Sequence, residues 1–544
     1  RDLYEGTRLH ADISRRGLLG KSAYLASALI NMYAKCGVLA QSQRVLEALL
    51  VRDVVSWSAL IAGYVQQGQG HEALGCFERM RGEGLSPNAI SFTSILKACG
   101  SIRSLKKGKH IHEEIMNRGL LEKDLVLGSA LMDMYTKCGA FSEARKVLEK
   151  LPTHNVVCWS TLIAGYAQED RGHEAIECFK EMQSKGLLPD AVTFTCVLRA
   201  CSTIGDVEMG KQIHKEIENT CLLEKDIVLG TALVDMYAKC GMLSQAQEVL
   251  EELPVRDVIT WNTLVVGYSQ YGQCHEALDC FECMQSEGLI PDVVTLIGIL
   301  KACGGIGAVD KGKQIHETII DRGLLEKHFV LGMALVDMYV KCGMLVKAKE
   351  MLHELPTQDA GCWNSLIAGY TQLGQCHEAL KCFQEMQNEG VSPDEFTFSC
   401  ILKACGSMRD IDKGTEIHEK VTGMGLRENV VLGTALMDMY AKCGDISKSQ
   451  EVFDHLLVRD VVIWTALIAG CANHGDYMKA HYCFRQMQQE CFLPDVFTLV
   501  WIVRLCGTVR AYSMGKEIHV VIGHDNIRQN EVLFDTAIVD MYAK

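Results

Sequence analysis

Cysteine, lysine and histidine are the residues of this chain best equipped for chemistry, and they fall at fixed places. The heptapeptide DMYAKCG at Asp235–Gly241 returns, with single changes, at Met32–Gly37, Met134–Gly139, Met338–Gly343 and Met439–Gly444, and MYAK closes the sequence at Met541–Lys544. A thiol beside a cation is suited to metal ligation or to a redox switch. Cys280-Phe-Glu-Cys283 is a C-x2-C pair, but a zinc site needs four ligands in a tetrahedron. Gly205-x4-Gly210-Lys211 and Gly307-x4-Gly312-Lys313 approach a phosphate-binding loop. The next residue is Gln212 or Gln314 rather than a Ser or Thr to hold Mg²⁺, and no strand precedes either. His112-Glu113-Glu114 and His214-Lys215-Glu216 imitate the H-x-E of zinc deaminases, without the P-C-x-x-C that completes it.

The positions explain these residues better than any reaction does. Cys36, Cys138, Cys240, Cys342 and Cys443 form one set. Cys99, Cys201, Cys303, Cys405 and Cys506 form a second, and Cys76, Cys178, Cys280, Cys382 and Cys483 a third. Fifteen of the 25 cysteines are thus three residues copied five times. Such copies read as small core residues with reduced thiols. The histidines of GKQIH, such as His214 and His316, recur in the same way and are expected to pack or cap. From Met32 to Met541 the motif steps by 102, 102, 102, 101 and 102 residues. Tryptophans 57, 159, 261, 363 and 464 keep that step, as do Pro87, Pro189, Pro291, Pro393 and Pro494. A fixed period of this kind marks a repeat architecture.

Each block divides into units of 31, 35 and 36 residues, as at 125–155, 156–190 and 191–226. Every unit holds two apolar-periodic stretches parted by a glycine-marked turn, and all eight prolines, Pro152, Pro254 and Pro356 included, fall at unit ends. Gly139 suits the left-handed residue that ends a helix. The expected fold is all-α, a solenoid of helix–turn–helix units that bury their apolar faces against their neighbours. The boundaries are a partial long unit at 1–22, five short–standard–long blocks at 23–531, and a partial short unit at 532–544. With 48% hydrophobic residues a large core is available, and no apolar run is long enough to cross a bilayer. The chain opens at Arg1 inside a repeat, which reads as a fragment with any targeting peptide out of sight.

Two helical repeats compete. The tetratricopeptide pattern finds Trp57, Leu60, Tyr64, Ala73, Phe77 and Pro87, but Ile61 replaces its glycine and Tyr64 comes one residue late. VVSWSALIAGYVQQGQGHEALGCFERMRGEGLSPN and its four copies resemble the pentatricopeptide repeat. SFTSILKACGSIRSLKKGKHIHEEI resembles the long variant of that family, and VLGTALVDMYAKCGMLSQAQEVLEELPVRD its short variant. The ordered alternation resembles the plant PLS subfamily of RNA-editing specificity factors. The resemblance implies a right-handed superhelix that reads single-stranded RNA, one base per repeat.

In that family the fifth and last residues of a unit face the base together. A carboxylate only accepts hydrogen bonds, which suits the ring N–H of guanine and uracil; asparagine also donates, which suits the ring acceptor of adenine and cytosine. The resemblance then assigns Ser27 with Asp53 to G, Ser58 with Asn88 to A, Ser129 with Asn155 to A, and Ser160 with Asp190 to G. Thr231 with Asp257 reads G, Asn262 with Asp292 and Asn364 with Asp394 read U, and Thr434 with Asp460 and Thr465 with Asp495 read G. Met333 beside Asp359 is unassigned. Of the long units, Ile297 with His328 and Val500 with Glu531 fit no pairing, while Thr93 with Asp124 and Thr195 with Asp226 would favour G. The implied site is 5′-GAnAGnGUnnUnGGn-3′.

The second residue of a unit is an apolar wedge between bases in the family. Tyr24, Val55, Val126, Val157, Val228, Ile259, Val431 and Val462 fit, whereas Gly361 has nothing to insert; on periodicity alone the valines read equally as core. Lys35, Lys137, Lys239, Lys341 and Lys442 fall where family members approach the phosphate backbone. The net charge of −14 argues against RNA unless charge is segregated, with a weakly basic groove on the first helices inside an acidic outer wall. The resemblance implies an organellar (mitochondrial or chloroplast) C-to-U editing factor whose catalytic domain follows or is recruited, with editing-complex proteins as further partners. No catalysis, cofactor, metal, membrane or small-molecule substrate is expected of this chain. The rival reading is a tetratricopeptide-like protein-binding scaffold.

Overall fold

A computed structural model describes the chain except residues 1–2, 18–22, 50, 122–123, 152–154, 221, 356–357, 425–428, 457–458, 510–530 and 544. Arg1, Pro152, Pro356 and the side chain of Glu531 lie outside the described residues. Thirty-one helices and no strand occur among the described residues. In the second block the short unit forms helices Leu125–Lys137 and Phe141–Lys150, the standard unit Val156–Gln168 and Gly172–Ser184, and the long unit Ala191–Ile204 and Val207–Glu218.

Local chemistry sets these limits. Gly139 stands at φ +72°, and the Ala140 N–H returns to the Tyr135 carbonyl, so the chain leaves the first helix in a glycine-dependent turn. Most first helices open on an Asp or Asn cap, His328 before Phe329–Lys341 being an exception. Asp190 accepts from the Thr193 N–H and Asp53 from the Ser56 N–H, both at 2.8 Å. A cap of this type contributes about 1 kcal/mol.

Contacts divide the chain into two compact bodies, one of Arg1–Tyr271 with Glu287–Leu289, the other of Gly272–Ser286 with Ile290–Lys544. Both are built alike. First helices lie against the first helix of the next unit, as Ala191–Ile204 does on Ile227–Lys239, and Glu395–Met408 on Val430–Cys443. Within a body, a second helix is wedged between its own first helix and the next one, as Gly172–Ser184 is. Among the described residues no second helix packs on another second helix in this way. Within each body the first helices therefore form a continuous layer with one face free.

The repeated residues hold the layers together. Trp57, Trp159, Trp363 and Trp464 are fully buried. The recurring A-G-Y glycine lets neighbouring first helices touch: a Cβ on Gly165 would stand 2.5 Å from the Thr136 Cβ. Cys99, Cys201, Cys303 and Cys405 are buried, and burial pushes each thiol up to about 12, leaving it protonated and inert at neutral pH. Cys138 directs its thiol at the Cys99 carbonyl from 3.9 Å. Cys280 is buried and Cys283 exposed on the same helix, so the two thiols do not converge. The histidines pack, as expected. His112 meets Tyr135 edge-on with Nδ1 2.7 Å from the hydroxyl, and His214–Tyr237 and His316–Tyr339 repeat the contact. The glycines that resemble a phosphate loop are architectural too: Gly205 ends a helix at φ +72°, and a Cβ on Gly210 would meet the Met236 sulfur at 2.5 Å.

Candidate nucleic-acid interface

Among the described residues, the last residue of a unit is the N-cap of the next first helix, and where it is Asp or Asn a hydrogen bond orients its side chain; His328 makes no such bond. In Asp53, Asp190, Asp257 and Asp460 the Oδ1 atom accepts from the backbone, while Oδ2 has no partner among the described residues. Asn88 and Asn155 cap through their carbonyl oxygen, at 2.8 and 3.0 Å, which leaves the amide NH2 as the outward group. Capping thus leaves a bare acceptor in these four aspartates and a bare donor in these two asparagines.

The fifth residues lie beside these caps in the standard units. Ser58 Oγ is 2.7 Å from Ser91 Oγ, which lies 2.8 Å from Asn88 Oδ1. Ser160, Thr193 and Asp190 repeat the relay, as do Thr465, Thr498 and Asp495. Asn364 donates its amide to both oxygens of Asp394, at 3.0 and 2.9 Å, and its carbonyl oxygen meets the Thr397 hydroxyl. Burial opposes ionisation of Asp394, but hydrogen bonds from Thr397 and Asn364 outweigh it and hold the carboxyl below its ordinary pKa. Asn262 belongs to the first body, and Asp292 caps its helix in the second.

The short units join their pairs less directly. Thr231 reaches Asp257 through Thr260, with the two hydroxyls 3.0 Å apart. Ser129 turns to the Cys158 thiol at 3.6 Å, while Ser27 bonds back to the Tyr24 carbonyl at 3.1 Å. Thr434 and Asp460 face one open pocket of about 430 Å³, lined also by Val431, Val462, Ser399 and Lys403. Met333 lies 3.4 Å from where a Cβ on Gly361 would be, so its side chain covers the place where that unit lacks a wedge.

The bridging hydroxyls Ser91, Thr193, Thr397 and Thr498 were not among the residues expected from sequence. All are buried. Their signal was legible as a Ser or Thr three residues after each cap, the spacing of a capping box.

The proposed wedges are not core residues. Val55, Val126, Val157, Val228, Ile259, Val431 and Val462 are 55–65% exposed, and Tyr24 is 82% exposed. Six further second residues, Ile90, Val192, Val294, Val330, Phe396 and Phe497, are exposed as well. Neighbouring first helices cover the helix flanks and leave this position bare. An apolar side chain left in water at one position of successive units marks a contact surface.

Charge follows a pattern that the sequence reading simplified. Lys137, Lys239, Lys341 and Lys442 each pair with the aspartate one turn earlier, Asp133, Asp235, Asp337 and Asp438, at 2.7–2.8 Å. Asn31 takes the aspartate's place before Lys35. The N-cap aspartates match the Lys and Arg of the first helices one for one, and with the aspartates that pair the short-unit lysines added, the side chains of these helices and caps sum to a net negative charge rather than a weakly basic one. The positive ends of the helices partly offset the capping carboxylates.

A family model described as "PPR repeat family" matches residues 52–101, 154–203, 256–305, 358–407 and 459–507, and one described as "PPR repeat" matches 129–156, 192–219, 231–258, 333–358 and 434–461. A mitochondrial pentatricopeptide repeat-containing protein of Arabidopsis thaliana is 32% identical over 99% of this chain, which spans 58% of that relative. Another from the same plant is 35% identical over 93% of this chain and 70% of its own length, and a chloroplastic one 32% identical over 89% and 78%. Among solved structures, the pentatricopeptide repeat protein PPR10 from maize superposes with a TM-score of 0.65 at 20% identity, covering 95% of this chain and 80% of that one. The same protein in complex with an 18-nt psaJ RNA element gives 0.60 at 16% identity, covering 96% and 82%. At such identities the likeness is one of fold.

Proposed function

The chain belongs to the pentatricopeptide repeat family, and on that premise we propose that it binds single-stranded RNA in a sequence-specific way, one base to a unit. The observation that carries the reading is the orientation of the caps. Helix capping turns an unpartnered acceptor outward in Asp53, Asp190, Asp257 and Asp460, and an amide donor outward in Asn88 and Asn155. These are the groups that guanine or uracil, and adenine or cytosine, respectively require. The exposed second residues flank those positions and supply apolar faces for bases to stack on, each worth less than the ~1–3 kcal/mol of an aromatic platform.

The base-reading pairs run from Ser27 with Asp53 to Thr465 with Asp495, and the site is 5′-GAnAGnGUnnUnGGn-3′. The short-unit lysines approach phosphates by exchanging their aspartate partners. Exposed pairs of this kind are worth only ~0.3–0.5 kcal/mol, so the exchange is inexpensive. The relatives' mitochondrial and chloroplastic names favour an organellar location. The ordered short, standard and long units favour the recognition tract of a C-to-U editing factor of the PLS type, working with editing-complex proteins.

Selection from random RNA on the purified chain tests the reading, and enrichment of the string above is the expected result. Asn262→Thr should move the eighth position from U towards G. Enrichment of an unrelated sequence would overturn the pairing assignments, and absence of any RNA affinity at low salt would overturn the function.

A further inference from the structure

The long units fit the one-base rule least well. Their fifth residues are Thr93, Thr195, Ile297, Ser399 and Val500, and the two aliphatic ones cannot hydrogen-bond a base at all. Yet one feature is common to all five: the ninth residue of the first helix is a cation, namely Lys97, Arg199, Lys301, Lys403 or Arg504. All five side chains are exposed. None has a carboxylate within ion-pair distance among the described residues; Arg504 rests over the Trp501 ring at 5.8 Å. Lysines elsewhere in the same units are neutralised, as Lys107 is by Glu78 and Lys311 by Glu282.

Their place on the helix is informative. Second, fifth and ninth residues are spaced three and four apart and share one face. That face carries the exposed Phe396, then Ser399, then Lys403. Lys403 lines the pocket that also holds Thr434, Asp460, Val431 and Val462, so the cation of a long unit stands at the rim of the next unit's reading position. Asp438 and Asp460 face the same pocket, but Asp438 is held by Lys442 at 2.7 Å, and Asp460 caps its helix.

We propose that the long units grip the RNA backbone: the ninth-position cations Lys97, Arg199, Lys301, Lys403 and Arg504 each bind a phosphodiester, one for every three nucleotides. This rests on the RNA-binding reading above and assigns the long units a task other than discrimination. A base seated between wedges offers its edge to the reading pair and leaves its phosphate outside, where a single long cation at the rim can reach it. The short-unit lysines, each held by its own aspartate, contribute less.

The full chain with Lys97→Gln, Arg199→Gln, Lys301→Gln, Lys403→Gln and Arg504→Gln combined is compared with the parent on a synthetic RNA carrying the predicted string. Dissociation constants are measured over a range of KCl concentrations. Each lost single-strand contact should flatten the slope of log K against log[salt] by about 0.7, hence by about 3.5 for all five. The ratio of affinities for matched and mismatched RNAs should stay the same. The exposed sites leave folding intact, which circular dichroism verifies, and the charge-keeping set Lys97→Arg, Lys301→Arg and Lys403→Arg should retain the parental slope. An unchanged slope in the glutamine variant with RNA still bound overturns the assignment while the RNA-binding reading stands. A change in base preference in place of slope overturns it too, since the cations would then read bases. Failure of the parent chain to bind any RNA overturns the functional reading and this assignment with it.

Discussion

The first helices of the standard and the long units share one backbone plan and place their polar groups in opposite ways. VVSWSALIAGYVQ, VVCWSTLIAGYAQ, VITWNTLVVGYSQ, AGCWNSLIAGYTQ and VVIWTALIAGCAN contain no Asp, Glu, Lys or Arg. Their polarity is buried beside the cap, as Ser58 with Ser91 and Asn364 with Thr397 and Asp394. The long units instead expose one unpaired cation each and draw their fifth residue from Thr, Ile, Ser or Val. On the proposed reading, a pair oriented by its cap, such as Asn364 with Asp394, discriminates, because a mismatched base leaves one of its polar groups without a partner. A solvated cation attracts any phosphate and discriminates nothing. Under the proposals above, specificity and affinity fall to different units of one block.

Exchanging the reading pair tests the standard side of this contrast most severely. Asn364→Thr should move the base preferred at that unit from U towards G, by the ~1–3 kcal/mol that one mismatch costs, measured in competition gel shifts with RNAs differing only there. Thr397→Val comes next in size. It strips the hydroxyl from Asn364 Oδ1 and Asp394 Oδ1, so thermal melts should show a loss of about 1–2 kcal/mol, with a weaker preference for U at that unit.

The long units also hold the following short unit through a titratable contact, a histidine on the tyrosine hydroxyl. Burial keeps His112, His214 and His316 below their ordinary pKa of 6.5. The unfolded chain therefore takes up protons first, so their contribution is complete above about pH 6.5 and is lost as pH falls towards the folded values. Melting should occur at lower temperature near pH 5.5 than near pH 7.5, and replacing the three histidines with glutamine should shrink that difference. The smallest effect belongs to Asp133→Ala, which frees Lys137 and makes a short unit resemble a long one. Stability should change by less than about 0.5 kcal/mol, while the salt dependence of RNA binding steepens slightly.

Much of this was legible in the linear chain. Six copies of MYAK or a close variant set the period, and glycines and prolines set the turns. Such signals are local: a glycine ends a helix by its own backbone freedom, and a copied unit must stack on its copies to bury its apolar face. The same locality misled the reading of charge. Lys137 looked available for phosphate, and only the folded helix turned it onto Asp133.

By itself, then, the sequence determined the helices, the repeat and the family. The tertiary structure decided which periodic residues are core and which are surface. Leu60 and Val55 are equally apolar and lie on one helix, yet Leu60 is buried and Val55 is 57% exposed. The difference arises because stacked first helices cover the flanks of each unit and leave one face uncovered. Stacking likewise set Thr397 of one unit against Asn364 and Asp394 of the unit before it. Those are contacts between units, and no single repeat contains the information to specify them.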